Sequence, residues 1–151
     1  MSSWPSHYHC DDKDRNLKET EIVIRCSEIN SELQKIIDAI KICSFTITAY
    51  KDGYLQKINH EAVCYIESVD EKTFIYCEND VYESKMKLFE FEEALINSSF
   101  VRISKSCILN IDFIEKVKPM LNGKYEVLLI NGEKLIINRH YVPDFKKKFG
   151  L

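Results

Sequence analysis

Apolar and polar positions follow one rhythm up to about residue 44 and another after it. In the first stretch, Glu21 to Cys26 reads as a short strand, with Ile22 and Ile24 on one face and Val23 on the other. Ser31-Glu32-Leu33-Gln34 then has the form of a capping box. Ile29, Leu33, Ile36, Ile37 and Ile40 recur at helical offsets, which predicts an amphipathic helix over about 31–43. One strand and one helix cannot close a core, so the stripe must dock on the rest of the chain or on its copy in a second chain. From Phe45 the rhythm shortens to alternating runs cut by turns, the pattern of a mostly antiparallel β domain. Predicted strands at 45–50 and 54–58 flank Lys51-Asp52-Gly53, where Asp-Gly suits positive φ, and those at 63–69 and 73–77 flank Asp70-Glu71-Lys72. Further strands are expected at 81–85, 114–117, 125–130 and 133–137, the last two around Asn131-Gly132 as a two-residue turn. Leu88 to Ile96 is the one short helix expected inside the domain, and Val142 to Phe149 closes the chain as a basic helical turn.

The most informative run is Phe100 to Asn110. Val101, Ile103, Cys107 and Leu109 share one parity, as in a strand facing a core, yet the same parity would bury Lys105. An unpaired buried ammonium costs several kcal/mol. The chain is therefore expected to bend at Ser104-Lys105-Ser106 and lift one cation, flanked by two hydroxyls, out of the sheet.

Composition narrows the field. A chain of 151 residues with 45% hydrophobic content has room for one domain plus a small extension: residues 1–44 as the extension with a disordered start, and 45–151 as the domain. The longest aliphatic run, Val127 to Ile130, is too short to cross a bilayer, and the polar N-terminus lacks a signal-peptide core, so a cytoplasmic protein without membrane insertion is expected. The six cysteines form no CxxC pair and read as free, buried small hydrophobes of a reducing compartment. His7-x-His9-Cys10 has ligand-type side chains but no second half-site, so no metal and no cofactor is expected. Glycine-rich phosphate loops and nucleophile elbows are missing, and the carboxylate pair Glu92-Glu93 looks like the solvated face of a helix; an enzyme is not expected. There is likewise no room for an acidic receiver domain.

Charge is distributed unevenly. Residues 45–97 carry 5 Lys/Arg against 11 Asp/Glu, whereas residues 98–151 carry 10 against 5. The overall net charge of −3 thus hides a basic C-terminal part, and affinity for a polyanion depends on the local patch. The cations fall at turns: Lys72-Thr73 at the second hairpin, Lys105 at the bend, and Asn138-Arg139-His140 after the last strand. Arg suits bidentate base recognition, while Lys, Ser and Thr suit phosphates or base edges. For Arg139, an ion pair with Glu133 or Asp144 is the competing use.

The runs Val63-Cys64-Tyr65-Ile66-Glu67-Ser68, Phe100-Val101-Arg102-Ile103-Ser104-Lys105-Ser106-Cys107-Ile108-Leu109-Asn110 and Ile136-Ile137-Asn138-Arg139-His140-Tyr141 resemble, in order and spacing, the LytTR DNA-binding domain of bacterial transcription regulators. The resemblance spans about Phe45 to Leu151. It implies an elongated, mostly antiparallel β fold whose loops enter successive major grooves of double-stranded DNA at promoter repeats. It places base-directed contacts at Thr73, with Lys72 beside it, at Lys105 and at Arg139. Arg139 is the expected source of sequence specificity and Lys105 mainly a phosphate contact. Ser104, Ser106 and Arg102 around the bend, with Asn138 and His140 around Arg139, complete the candidate set. A homodimer through residues 20–44 and a separate inhibitory protein are candidate partners. The alternative reading is a protein–protein interaction module without DNA binding.

Overall fold

A computed structural model of the chain describes residues 22–43 and 45–151, in two compact units divided after Asn30. In the first unit, the strand expected over 21–26 is corrected. Residues 22–26 have no regular structure, and Ile22 and Val23 are 60% and 66% exposed. Alternation alone does not make a strand, and among the described residues no strand pairs with 22–26 to complete its hydrogen bonds. His7, His9 and Cys10 lie outside the described residues.

The second unit opens with helix α1 (Ser31–Cys43). Its Gln34 Nε2 donates to Asp38 Oδ1 one turn further on (3.0 Å). Then follow β1 (Thr46–Lys51), β2 (Tyr54–Asn59), β3 (Val63–Val69), β4 (Lys72–Cys77), β5 (Val81–Ser84) and the short helix α2 (Leu88–Ala94). The chain continues through β6 (Phe100–Arg102), β7 (Cys107–Asn110), β8 (Ile114–Pro119), β9 (Tyr125–Leu129), β10 (Lys134–Ile137) and the C-terminal helix α3 (Val142–Phe149). The strands form one seven-stranded sheet in the order β2-β1-β5-β4-β3-β7-β6 and one three-stranded sheet in the order β10-β9-β8. Every pairing is antiparallel.

Two cores cover opposite faces of the large sheet. On one face Ile47, Val63, Ile66, Ile75, Phe100 and Ile108 pack under Leu88, Phe91 and Leu95 from α2 and the residue after it. On the other, Cys64, Tyr65, Val101, Ile103, Cys107 and Leu109 meet Val127, Leu129 and Ile137 of the small sheet, with Val142 and Phe145 of α3. Because both faces are covered, Val63-Cys64-Tyr65-Ile66 is buried without interruption, and a register shift between Val63 and Tyr65 sorts its side chains between the two cores. Phe91 and Phe145 are fully buried, each worth about 1.5–3 kcal/mol of transfer free energy. Lys148 of α3 donates to the carbonyls of Ile96 (3.1 Å) and Phe100 (2.7 Å), and burial holds its pKa below the ordinary lysine value.

The turns differ in three places from the sequence expectation. At the first hairpin Lys51 ends β1 opposite Tyr54, so Asp52 and Gly53 alone make the turn. Asp70 and Glu71 both take positive φ (50° and 64°), so they alone form the second hairpin turn and Lys72 opens β4 opposite Val69. At the last hairpin Gly132 N–H donates to Leu129 O (2.9 Å) and Gly132, not Asn131, has positive φ (90°). That is a three-residue loop ending in a left-handed glycine, with Leu129 N–H closing on Glu133 O (2.8 Å), rather than a two-residue turn.

Candidate nucleic-acid interface

Phe100 to Asn110 is a hairpin whose arms are β6 and β7, with Phe100 opposite Asn110, Val101 opposite Leu109 and Arg102 opposite Ile108. The chain reverses at Ser104-Lys105-Ser106, and Lys105 is exposed while Ile103 and Cys107 on either side are buried. The two serines shape the reversal: Ser106 N–H donates to Ser104 Oγ (3.2 Å), and the two hydroxyls lie 3.4 Å apart. Asn110 anchors the far end. Its Nδ2 donates to Val63 O (2.9 Å), and its Oδ1 accepts from Ser99 Oγ (2.7 Å) and Asp112 N–H (3.1 Å).

Backbone hydrogen bonds tie three loops together around this bend. Ser68 N–H, next to the end of β3, donates to Ser106 O (2.8 Å), joining the β3–β4 hairpin near its tip to the bend. Asn138 N–H, just after β10, donates to Ile103 O (2.9 Å), joining the segment that carries Arg139 to the other side of the bend. Arg139 and His140 are exposed in the single helical turn Arg139–Tyr141, and Asn138 is half-buried. Among the described residues the Arg139 guanidinium and the ammonium groups of Lys105 and Lys72 take part in no ion pair; the salt bridges are Lys51–Asp80, Arg102–Glu92 and Lys118–Glu126. The alternative pairing of Arg139 with Glu133 or Asp144 is therefore not formed.

Two of the expected contact residues are placed differently. Thr73 is 3% exposed, one rung into β4 opposite Ser68, and it points to the same side as buried Ile75. The hairpin turn needs only Asp70 and Glu71, so Thr73 falls within the ladder and Lys72 is the exposed side chain there. Arg102 is not a free cation either. Its Nε donates to Ser104 O (2.6 Å), one terminal nitrogen to Lys105 O, and the other to Glu92 Oε2 (2.6 Å). All three nitrogens are engaged within the protein.

Two contributors to the site were not evident from sequence. Glu92, expected to be merely solvated, is the partner of Arg102 from α2. Gly123, in the β8–β9 turn with φ of 75°, lies against the Arg139 stem: a Cβ there would stand 3.1 Å from both Cγ and Cδ. Neither pair has a sequence spacing that signals contact. The one hint was glycine itself at a turn.

Exposed cations that form no ion pair among the described residues are thus held on one antiparallel β scaffold, near loops that backbone hydrogen bonds tie together. Residues 54–150 match the LytTr DNA-binding domain family, and the chain belongs to that family. It is 35% identical over 88 residues to the sensory transduction protein LytT of Enterococcus faecalis, covering 58% of this chain and 36% of that protein. It is 30% identical over 140 residues to the uncharacterized HTH-type transcriptional regulator SAS2254 of Staphylococcus aureus, covering 90% of this chain and 95% of the relative. Among solved structures, the LytTr DNA-binding domain of a putative methyl-accepting/DNA response regulator from Bacillus cereus is similar with a TM-score of 0.66 and 27% identity, over 70% of this chain and 97% of that one. The mostly β architecture expected from the sequence is thus the one found. Among the described residues the three α-helices are separated from one another by strands, so no two of them form a helix-turn-helix pair.

Proposed function

We propose that the chain is a transcription regulator that binds double-stranded DNA with sequence preference, using the loops of its β scaffold. The observation that carries this reading is the Asn138-to-Ile103 backbone bond, which sets exposed Arg139 beside the bend carrying exposed Lys105. Arg139 supplies the planar fork suited to a guanine edge, and Lys105 and Lys72 supply charge for the backbone. Selection of duplexes from a random pool, followed by anisotropy titration over a salt series, tests it. Arg139→Ala is expected to cost about 1–3 kcal/mol on the selected sequence and to relax preference at one position. Lys105→Ala should weaken all duplexes and lower the salt slope by about one. Wild-type affinity in both variants overturns the reading.

The same reading has the protein acting in the bacterial cytoplasm as a homodimer, with α1 in the interface, and an inhibitory protein as a further partner. The supporting observation is that Leu33, Ile37 and Ile40 of α1 are only half-buried and Ile36 is 48% exposed. Among the described residues no helix is long and apolar enough to cross a membrane. Light scattering checks the dimer: a chain truncated to 45–151 should have lower mass per particle than twice the protomer, and a monomeric full chain removes the dimer from the reading.

A further inference from the structure

We propose that Arg102 is a positioning residue for Lys105: it does not touch DNA, and it sets the conformation in which the bend offers Lys105 to the duplex. The inference rests on the DNA-binding reading above and adds to it the part played by Arg102 and Glu92.

The bend is short and polar. Its own backbone closes Ile103 N–H onto Cys107 O (3.0 Å), while Ser106 O and Ile103 O are taken by Ser68 and Asn138. That leaves the carbonyls of Ser104 and Lys105 without a strand partner, and both accept from one guanidinium. A planar fork with nitrogens in fixed geometry holds two successive carbonyls on one side of the chain. The Lys105 side chain is exposed. The third nitrogen reaches Glu92 on α2, and the Arg102 side chain retains only 19% of its exposure. The Glu92 carboxylate offsets the Arg102 charge locally, which makes Arg102 a poor phosphate ligand and a good brace. Lysine cannot replace it, since one ammonium cannot span two carbonyls and a carboxylate in the same plane.

A long, flexible lysine gains affinity when the backbone beneath it is already fixed, because less conformational freedom is lost on binding. Losing the brace should therefore weaken DNA binding through Lys105 and only through Lys105. The test is a double-mutant cycle by anisotropy on one selected duplex, with thermal midpoints measured for every variant. Arg102→Ala is expected to weaken binding about ten-fold, Arg102→Lys to give no rescue, and either change to add less than about two-fold once Lys105→Ala is present. The salt slope of Arg102→Ala should equal that of Lys105→Ala rather than fall further in the double variant. Glu92→Gln, which keeps Arg102 and removes one of its anchors, should show a smaller loss with the same dependence on Lys105; it carries the test if Arg102→Ala unfolds. Amide exchange at Lys105 and Ser106 should quicken in Glu92→Gln without DNA present.

Losses from Arg102→Ala and Lys105→Ala that multiply, or Arg102→Lys binding like wild type, would show a direct contact and overturn the proposal. Wild-type affinity in Arg102→Ala beside a weakened Lys105→Ala overturns it too and leaves the DNA-binding reading standing. Wild-type affinity in Lys105→Ala and Arg139→Ala removes both.

Discussion

Gly123 and Arg139 touch across the end of the small sheet, and the contact depends on a hydrogen where any other residue has carbon. The left-handed φ of 75° at Gly123 already disfavours a side chain, and a Cβ would press on the Arg139 stem at 3.1 Å. Gly123→Ala should lose about 1–2 kcal/mol of stability from backbone strain and also displace the guanidinium. Gly123→Asn separates the two effects, since asparagine tolerates positive φ but carries the same Cβ. Its stability should stay near wild type while the ratio of specific to non-specific affinity falls toward that of Arg139→Ala. Equal ratios in wild type and Gly123→Asn, from competition titrations with unrelated duplex, would show that Arg139 is not oriented by this contact. The motif residues have separate tasks at the same scale: Asn110 pins β7 to β3, Ser104 and Ser106 form the reversal, and Arg102 spans its carbonyls.

At the scale of elements, the legible parts of the fold were those fixed by neighbours in sequence. Asp52 and Gly53, both at positive φ, turn the first hairpin as their composition predicts, although Lys51, expected in the loop, ends β1 opposite Tyr54. The conflict between parity and charge at Lys105 located the reversal between β6 and β7. Thr73 lies in the ladder and not at the tip because the turn needs two residues, where the composition of 70–72 suggests three. A left-handed Glu71 is not announced by its side chain, and one residue of error moves a position from the tip into the ladder. The actual tip has a testable consequence. Asp70 and Glu71 place two carboxylates just beyond the end of β3, close to Ser68, which is bonded to the bend. The paired change Asp70→Asn with Glu71→Gly suits the positive φ angles and should raise stability by about 0.5–1 kcal/mol. If the tip faces the duplex, the same change removes like-charge repulsion and tightens every sequence evenly, most at low salt. A rise in thermal midpoint with no change in affinity would put the tip away from the DNA. Thr73→Val, by contrast, should bind as wild type.

The whole molecule depends on a sheet covered on both faces, and this was the part the sequence did not disclose: strand order, the stacking of the small sheet and the reach of Arg102 to Glu92 all join residues distant along the chain. The second core holds Cys64 and Cys107 against Val127, Leu129 and Phe145, where burial pushes the thiols up to about 11 and about 12 from an ordinary 9.0. Cys26, in the other unit, is exposed. Linkage fixes the sign of the pH effect. Above pH 9.0 the unfolded chain releases these protons while the folded chain keeps them, so the unfolded state binds fewer protons and stability falls as pH rises. The contribution is complete below pH 9.0 and is lost progressively toward about 12, the folded value for Cys107. Denaturant midpoints from about pH 8 to 11 should show this decline, and Cys107→Ala, though less stable at about pH 8 by about 1–2 kcal/mol, should decline less steeply. Alkylation of the native protein at neutral pH should modify Cys26 and spare Cys64 and Cys107 until denaturant is added. Equal slopes in wild type and Cys107→Ala, or rapid native labelling of Cys107, would mean that the small sheet and α3 do not seal that face, and the frame holding Arg139 beside the bend would lose its support.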